Sequence, residues 1–111
     1  MAERAEMRRG DIVLANLGSP KGHEAGFVRP VLILSAERFH RTGLAVAIPI
    51  TRAKRDYPTH VEINAPLPET SYAQCEHLRS LSTNRIIKAV GQADPVAMLQ
   101  VELKIREFLG L

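Results

Sequence analysis

The sequence predicts one mainly β domain closed by a C-terminal α-helix, a small twisted antiparallel barrel or sandwich with the helix packed against it. Three observations carry this. Short apolar or alternating runs, punctuated by glycine and proline clusters, recur between residues 11 and 93. After Asp94 the apolar period changes from that of a strand to that of a helix. A chain of 111 residues has the size of one domain, burying roughly two-thirds of its unfolded surface without a covalent staple.

Residues 1–9 read as a flexible polar arm, and residues 10–111 as the domain. The stretch DIVLANL (11–17) forms a first strand, and the cluster of glycines and prolines over 18–26 is a loop. RPVLILS (29–35) is a continuous apolar run bounded by turn residues, the pattern of a strand buried on both faces. AERFHRTG is read as a turn or a single helical turn, and LAVAIPIT (44–51) as a strand whose central pairing Pro49 limits near its end. THVEIN (59–64) alternates as a half-exposed strand does. SYAQCEHLRSLS (71–82) shows a weaker period of 2, and IIKAVGQA (86–93) is another short β segment, giving five or six strands in all. In the last segment Asp94 caps a helix over 95–109, Pro95 fits its first turn and Gly110 suits the position beyond its end. Val96, Leu99 and Leu103 share one face, with Met98, Glu102, Ile105 and Phe108 nearby, and that stripe is expected to pack on the core.

Apolar residues make up 45% and charged residues 24% of the chain, which fits a globular protein and not a disordered one. The start MAERAEMRRGD has no signal-peptide core and no apolar run reaches membrane-spanning length, so a soluble cytoplasmic protein is expected. A lone Cys75 allows no internal disulfide and reads as a small core side chain. His23, His40, His60 and His77 lack close ligand spacing, so no metal site and no cofactor is expected; His23, His40 and His60 are read as surface residues. The net charge of +3 admits an anionic partner.

Three stretches carry the chemistry: KGHEAGFVRP, PITRAKRDYP and CEHLRS. They supply Arg29, Thr51, Arg52, Lys54, Arg55 and Arg79 as donors to phosphate, with Glu24, Asp56, Glu76 and His77 as proton acceptors. Arginine presents a planar fork matched to phosphate oxygens. Pro30 fixes extended geometry for Arg29, since its ring disfavours the α region one residue earlier.

The order Arg9-Gly10-Asp11, then KGHEAGFVRP entering a β run, then PIT closing the next, then Tyr57-Pro58 before HVEI, resembles the MazF/PemK toxins of bacterial toxin–antitoxin pairs. The resemblance spans about residues 8–111. It implies a small SH3-like antiparallel barrel of the CcdB/MazF/PemK type, a homodimer, and metal-independent cutting of single-stranded RNA. It implies Arg29 and Thr51 as catalytic residues, Glu24 as the loop acid, and Arg55 as an RNA contact. Two departures stand out: basic Arg52 follows Thr51 in place of a small polar residue, and His77 stands where glutamine is common. The remaining basic residues, Lys54 and Arg79, are read with Arg52, Arg55 and His77 as substrate-binding.

The chemistry implied is attack of the 2′-hydroxyl on the adjacent phosphorus, leaving a 2′,3′-cyclic phosphate and a 5′-hydroxyl. Glu24, or in second place His77, is the expected base, because an arginine with pKa above ~12 is a poor one at neutral pH. The expected partners are single-stranded RNA and a cognate antitoxin with a disordered acidic tail. Two alternatives keep the fold: a CcdB-like gyrase poison, disfavoured because the chain has no tryptophan near its end, and a non-catalytic SH3-like RNA- or peptide-binding module, disfavoured by 5% aromatic content.

Overall fold

The computed structural model describes residues 7–111. Seven strands precede one α-helix: β1 (Asp11–Asn16), β2 (Val28–Ile33), β3 (Leu44–Thr51), β4 (His60–Ile63), β5 (Ser71–Gln74), β6 (Arg79–Ser82), β7 (Ile86–Gln92) and α1 (Pro95–Leu109). The pairings are antiparallel, in the order β4-β5-β3-β2-β1-β7 with β6 on β3. Five or six strands were expected; the seventh arises where 71–82 divides at a 3₁₀ turn, Cys75–His77. One edge of β3 thereby serves two partners, Leu44–Ala47 meeting β6 and Ile50–Thr51 meeting β5, with Pro49 near the break between them. Among the described residues the ladder ends at β4 and β7 without joining, so the expected barrel is an open folded sheet.

Alternation along the first three strands builds two cores. Val13, Ala15, Val31, Ile33, Ala45 and Ala47 join one cluster with Met7, Leu81 and Ile86. Ile12, Leu32, Ile48 and Ile50 point the other way, into a cluster with Val61, Ile63, Ala73, Cys75, Ala97 and Val101. The uninterrupted apolar run of β2 is thus explained, since Val31, Leu32 and Ile33 are buried on opposite faces.

The helix spans 95–109 as the caps predict: Asp94 accepts a hydrogen bond from the Val96 amide, and Gly110 closes the end at φ 71°. Its rotation differs from expectation. Ala97 and Val101 are buried with Met98 and Ile105 packed beside them, whereas Val96, Leu99 and Leu103 are 61%, 54% and 58% exposed. Both sets recur at helical spacing, and the small Ala97 side chain lets the backbone approach the sheet. The expected core stripe of Val96, Leu99 and Leu103 therefore faces outward.

The end of the polar arm is fastened to both layers. Met7 is buried, Arg9 pairs with Glu102 of α1 and donates to the Leu34 carbonyl, and the Gly10 amide donates to the Ile33 carbonyl at 2.8 Å. Residues 1–6 lie outside the described residues.

Candidate active site

Arg29 enters on β2 opposite Ala15, with Pro30 opposite Leu14. Its Nε donates to the Gly26 carbonyl at 3.1 Å and Nη1 to Gln74 Oε1 at 3.4 Å. Both acceptors are neutral, and Arg29 makes no ion pair among the described residues. Its fork is thus oriented by neutral groups, with the Glu24 and Glu76 side chains lining the same cavity outside ion-pair distance. The loop reaches this position only because residue 26 is glycine, since a Cβ there would stand 2.5 Å from Pro20 Cδ.

Thr51 ends β3 opposite Tyr72. Its Oγ1 accepts from the Ala53 amide at 3.2 Å, which leaves the hydroxyl hydrogen for another acceptor. Arg29 and Thr51 line the same two cavities, one of about 410 Å³ and one of about 570 Å³.

The other expected residues distribute along this groove. Glu24 lines the larger of these cavities with Arg29, Thr51, Arg55 and His77. Its Oε1 accepts from the Lys21 amide at 2.9 Å, and its own amide donates to the Lys21 carbonyl at 3.1 Å, tying residues 21–24 into a turn. A third cavity of about 570 Å³ continues past Glu24 and His77 to Lys21 and Arg79. Arg79 donates to the Leu17 carbonyl at 3.5 Å, joining β6 to the start of the glycine-rich loop. At the opposite end Arg52 lines the 410 Å³ cavity and pairs with Glu69 at 3.2 Å, both side chains well exposed. Lys54 is exposed on the 52–59 loop and does not line these three cavities.

Glu76 and His77 come from the 3₁₀ turn, and Glu76 is the better anchored. Thr59 Oγ1 donates to Glu76 Oε1 at 2.7 Å, and His60 Nε2 lies 2.8 Å from Oε2. Burial pushes this carboxyl up, but the hydrogen bonds from Thr59, from its own backbone amide and from His60 outweigh it and hold the group below its ordinary value of 4.5. His77 Nε2 sits 3.9 Å from the same carboxylate.

Two histidines expected at the surface are inside. The His60 side chain is 3% exposed, and His40 is 1% exposed with Nε2 2.7 Å from Ser35 Oγ. His40 is carried inward by the 3₁₀ turn Glu37–Thr42, and His60 by its contact with Glu76. His23 is exposed and lines the 570 Å³ cavity beside Arg29. Cys75 is fully buried, and burial first, then the neighbouring Glu76 charge, pushes its thiol up to about 12, so it is no nucleophile.

Sequence reasoning missed Gln74, whose amide oxygen orients Arg29, because a glutamine in a weak strand pattern carries no signal of its own. Glu76 was legible as a proton acceptor but not as the anchor of His60, and Tyr57 only as a member of the Tyr-Pro pair. Among the described residues no group of three or more His, Cys, Asp or Glu side chains is placed to hold a metal ion, and no helix is long and apolar enough to cross a membrane.

Residues 8–109 match the family model of the PemK-like, MazF-like toxin of type II toxin–antitoxin systems. The endoribonuclease MazF of Staphylococcus saprophyticus is 34% identical over 111 aligned positions, which span 95% of this chain and 92% of that protein. The crystal structure of MazF from Deinococcus radiodurans superposes with a TM-score of 0.87 at 31% identity, covering 95% of this chain and 97% of that one. A MazE–MazF structure from the same organism gives 0.80 at 30% identity, with 96% and 97% covered.

Proposed function

The chain belongs to the PemK-like, MazF-like toxins of type II toxin–antitoxin systems and is an endoribonuclease, and from that premise we propose how its groove cuts single-stranded RNA. The observation that carries the reading is the cavity shared by Arg29 and Thr51, with the guanidinium hydrogen-bonded among the described residues to neutral acceptors. The 2′-hydroxyl oxygen of the substrate attacks the adjacent phosphorus and the P–O5′ bond breaks, so that a 2′,3′-cyclic phosphate and a 5′-hydroxyl result. Negative charge grows on the non-bridging oxygens, where the Arg29 fork and the Thr51 hydroxyl donate. Fixed donors of this kind supply on the order of 10²- to 10³-fold each.

The 2′-hydroxyl proton goes to Glu24, which lines the same cavity and has one oxygen engaged by the Lys21 amide. Glu76 is less suited, since both its oxygens already accept hydrogen bonds. Arg29 protonates the leaving 5′-oxygen or the solvent does. His77, Arg55 and Arg79 bind the strand on one side of the cut and Arg52 on the other, with Lys54 at the rim adding general attraction for the backbone.

The basic groove also fits the acidic, disordered tail of a cognate antitoxin, which orders on binding. The solved MazE–MazF pair supports this partner; a tail peptide that fails to slow cleavage overturns it. The outward stripe of Val96, Leu99 and Leu103 supports a homodimer, which sedimentation of Leu99→Asp tests. The cytoplasm, where messenger and structured RNA lie, is the place of action.

The decisive assay uses a mixed RNA library and EDTA. Cleavage leaving cyclic phosphate, lost when the mapped site carries 2′-deoxyribose and lost in Arg29→Ala, is expected; uncut RNA supports the gyrase-poison or binding-module alternatives instead. A Glu24→Gln variant that cuts at the normal rate removes the carboxylate from the role of base.

A further inference from the structure

Single-stranded RNA is gripped through its bases as well as its phosphates, most often by stacking on an aromatic ring. This chain has only five aromatic side chains of the Phe, Tyr and Trp type. Tyr57 is the one that lines the cavity holding Arg29 and Thr51, and it is 51% exposed.

Its position is built by several independent devices. Asp56, immediately before it, adopts φ 54°, a left-handed conformation that aspartate tolerates better than most residues. The His60 amide then donates to the Tyr57 carbonyl at 3.0 Å, closing a turn with Pro58 at its second position. The ring itself meets His60 edge to face, with centroids 5.0 Å apart and planes at 61°. His60 in turn is buried and held by Glu76, which Thr59 holds from the other oxygen. A half-exposed tyrosine at a loop tip ordinarily samples several rotamers, and this one is braced by a ring that is itself locked.

We propose that Tyr57 is the stacking platform for a nucleobase flanking the scissile phosphate, fixed in the groove by the His60–Glu76–Thr59 network. The inference rests on the nuclease reading and adds a base subsite to it. Arg29 and Thr51 hold the phosphate, and a base stacked on Tyr57 sets where along the strand that phosphate falls. The platform tolerates any base, because every base has a π face, so Tyr57 governs register and affinity more than sequence choice. A phenyl ring does the same work as a phenol here; an alanine does not.

The test uses a short RNA that the wild-type chain cuts, made uncleavable by 2′-deoxyribose at the cut site and carrying 2-aminopurine at each position in turn. Stacking quenches this base. The wild-type chain and Tyr57→Phe are expected to quench one position beside the cut, and Tyr57→Ala to lose that quench. On the cleavable RNA, Tyr57→Ala should raise KM roughly ten- to a hundredfold, while Tyr57→Phe stays within about threefold. Cleavage with the same quenching pattern and KM in Tyr57→Ala overturns the platform alone. A wild-type chain that cuts no RNA overturns the nuclease reading beneath it.

Discussion

Two arginines line the same 410 Å³ cavity as Thr51, and they are held in opposite ways. Arg29 stands on a strand, half-buried, its fork turned by the Gly26 carbonyl and the Gln74 amide. Arg52 stands one residue past the end of β3, exposed, with its charge met by Glu69. A charge fixed by neutral partners keeps its field for the substrate and loses little entropy on binding it. A charge in a solvated ion pair must first leave a partner, and such pairs are worth about 0–1 kcal/mol. On the proposed mechanism, rigid strand ends supply the catalytic wall of the groove, and the loops supply its adjustable one.

Breaking the strand-borne wall has the largest expected effect. Arg29→Ala should lower kcat/KM by about 10²- to 10³-fold while thermal unfolding stays within a few degrees of the wild-type chain, because the side chain is not part of either core. Thr51→Val keeps the shape and removes the hydroxyl; single-turnover cleavage should fall by about 10²-fold, and a smaller loss would leave Arg29 as the sole clamp. On the loop wall, Arg52→Ala should weaken RNA binding only a few-fold and flatten the log–log salt dependence of binding by about one, read by titration at several salt concentrations. Were Arg52→Ala to match Arg29→Ala, the distinction between the two walls would be gone.

The smallest effect concerns stability and not cutting. The Glu76 carboxyl is held below its ordinary value of 4.5, so it binds its proton more weakly in the folded chain than in the unfolded one. The stability it contributes is complete above 4.5 and is lost as pH falls through the lowered folded value. Thermal unfolding followed downward from 4.5 should therefore fall more steeply for the wild-type chain than for Glu76→Gln. Parallel curves would mean that the network does not favour the ionised form.

Much of this architecture is legible along the chain because it is local. The unbroken run in β2 announces burial on both faces, and Asp94, Pro95 and Gly110 bracket α1 to the residue. Arg29, Thr51 and Glu24, singled out by the family resemblance, line one cavity. What failed was orientation. Val96, Leu99 and Leu103 had helical spacing as good as that of Ala97, Val101 and Ile105, and period alone does not tell which of two apolar stripes meets the sheet.

The sequence by itself determined the strands other than the split of 71–82, the helix and its caps, and the residue types able to grip a phosphate, since each depends on backbone preferences and patterns a few residues long. Only the tertiary structure decided which partners those residues have. Gln74 beneath Arg29 is 45 positions away, and Glu76 against His60 is 16 away. Hydrogen bonds between strands are chosen by the register of the whole sheet, and a register is fixed by the simultaneous burial of two cores and not by any one segment.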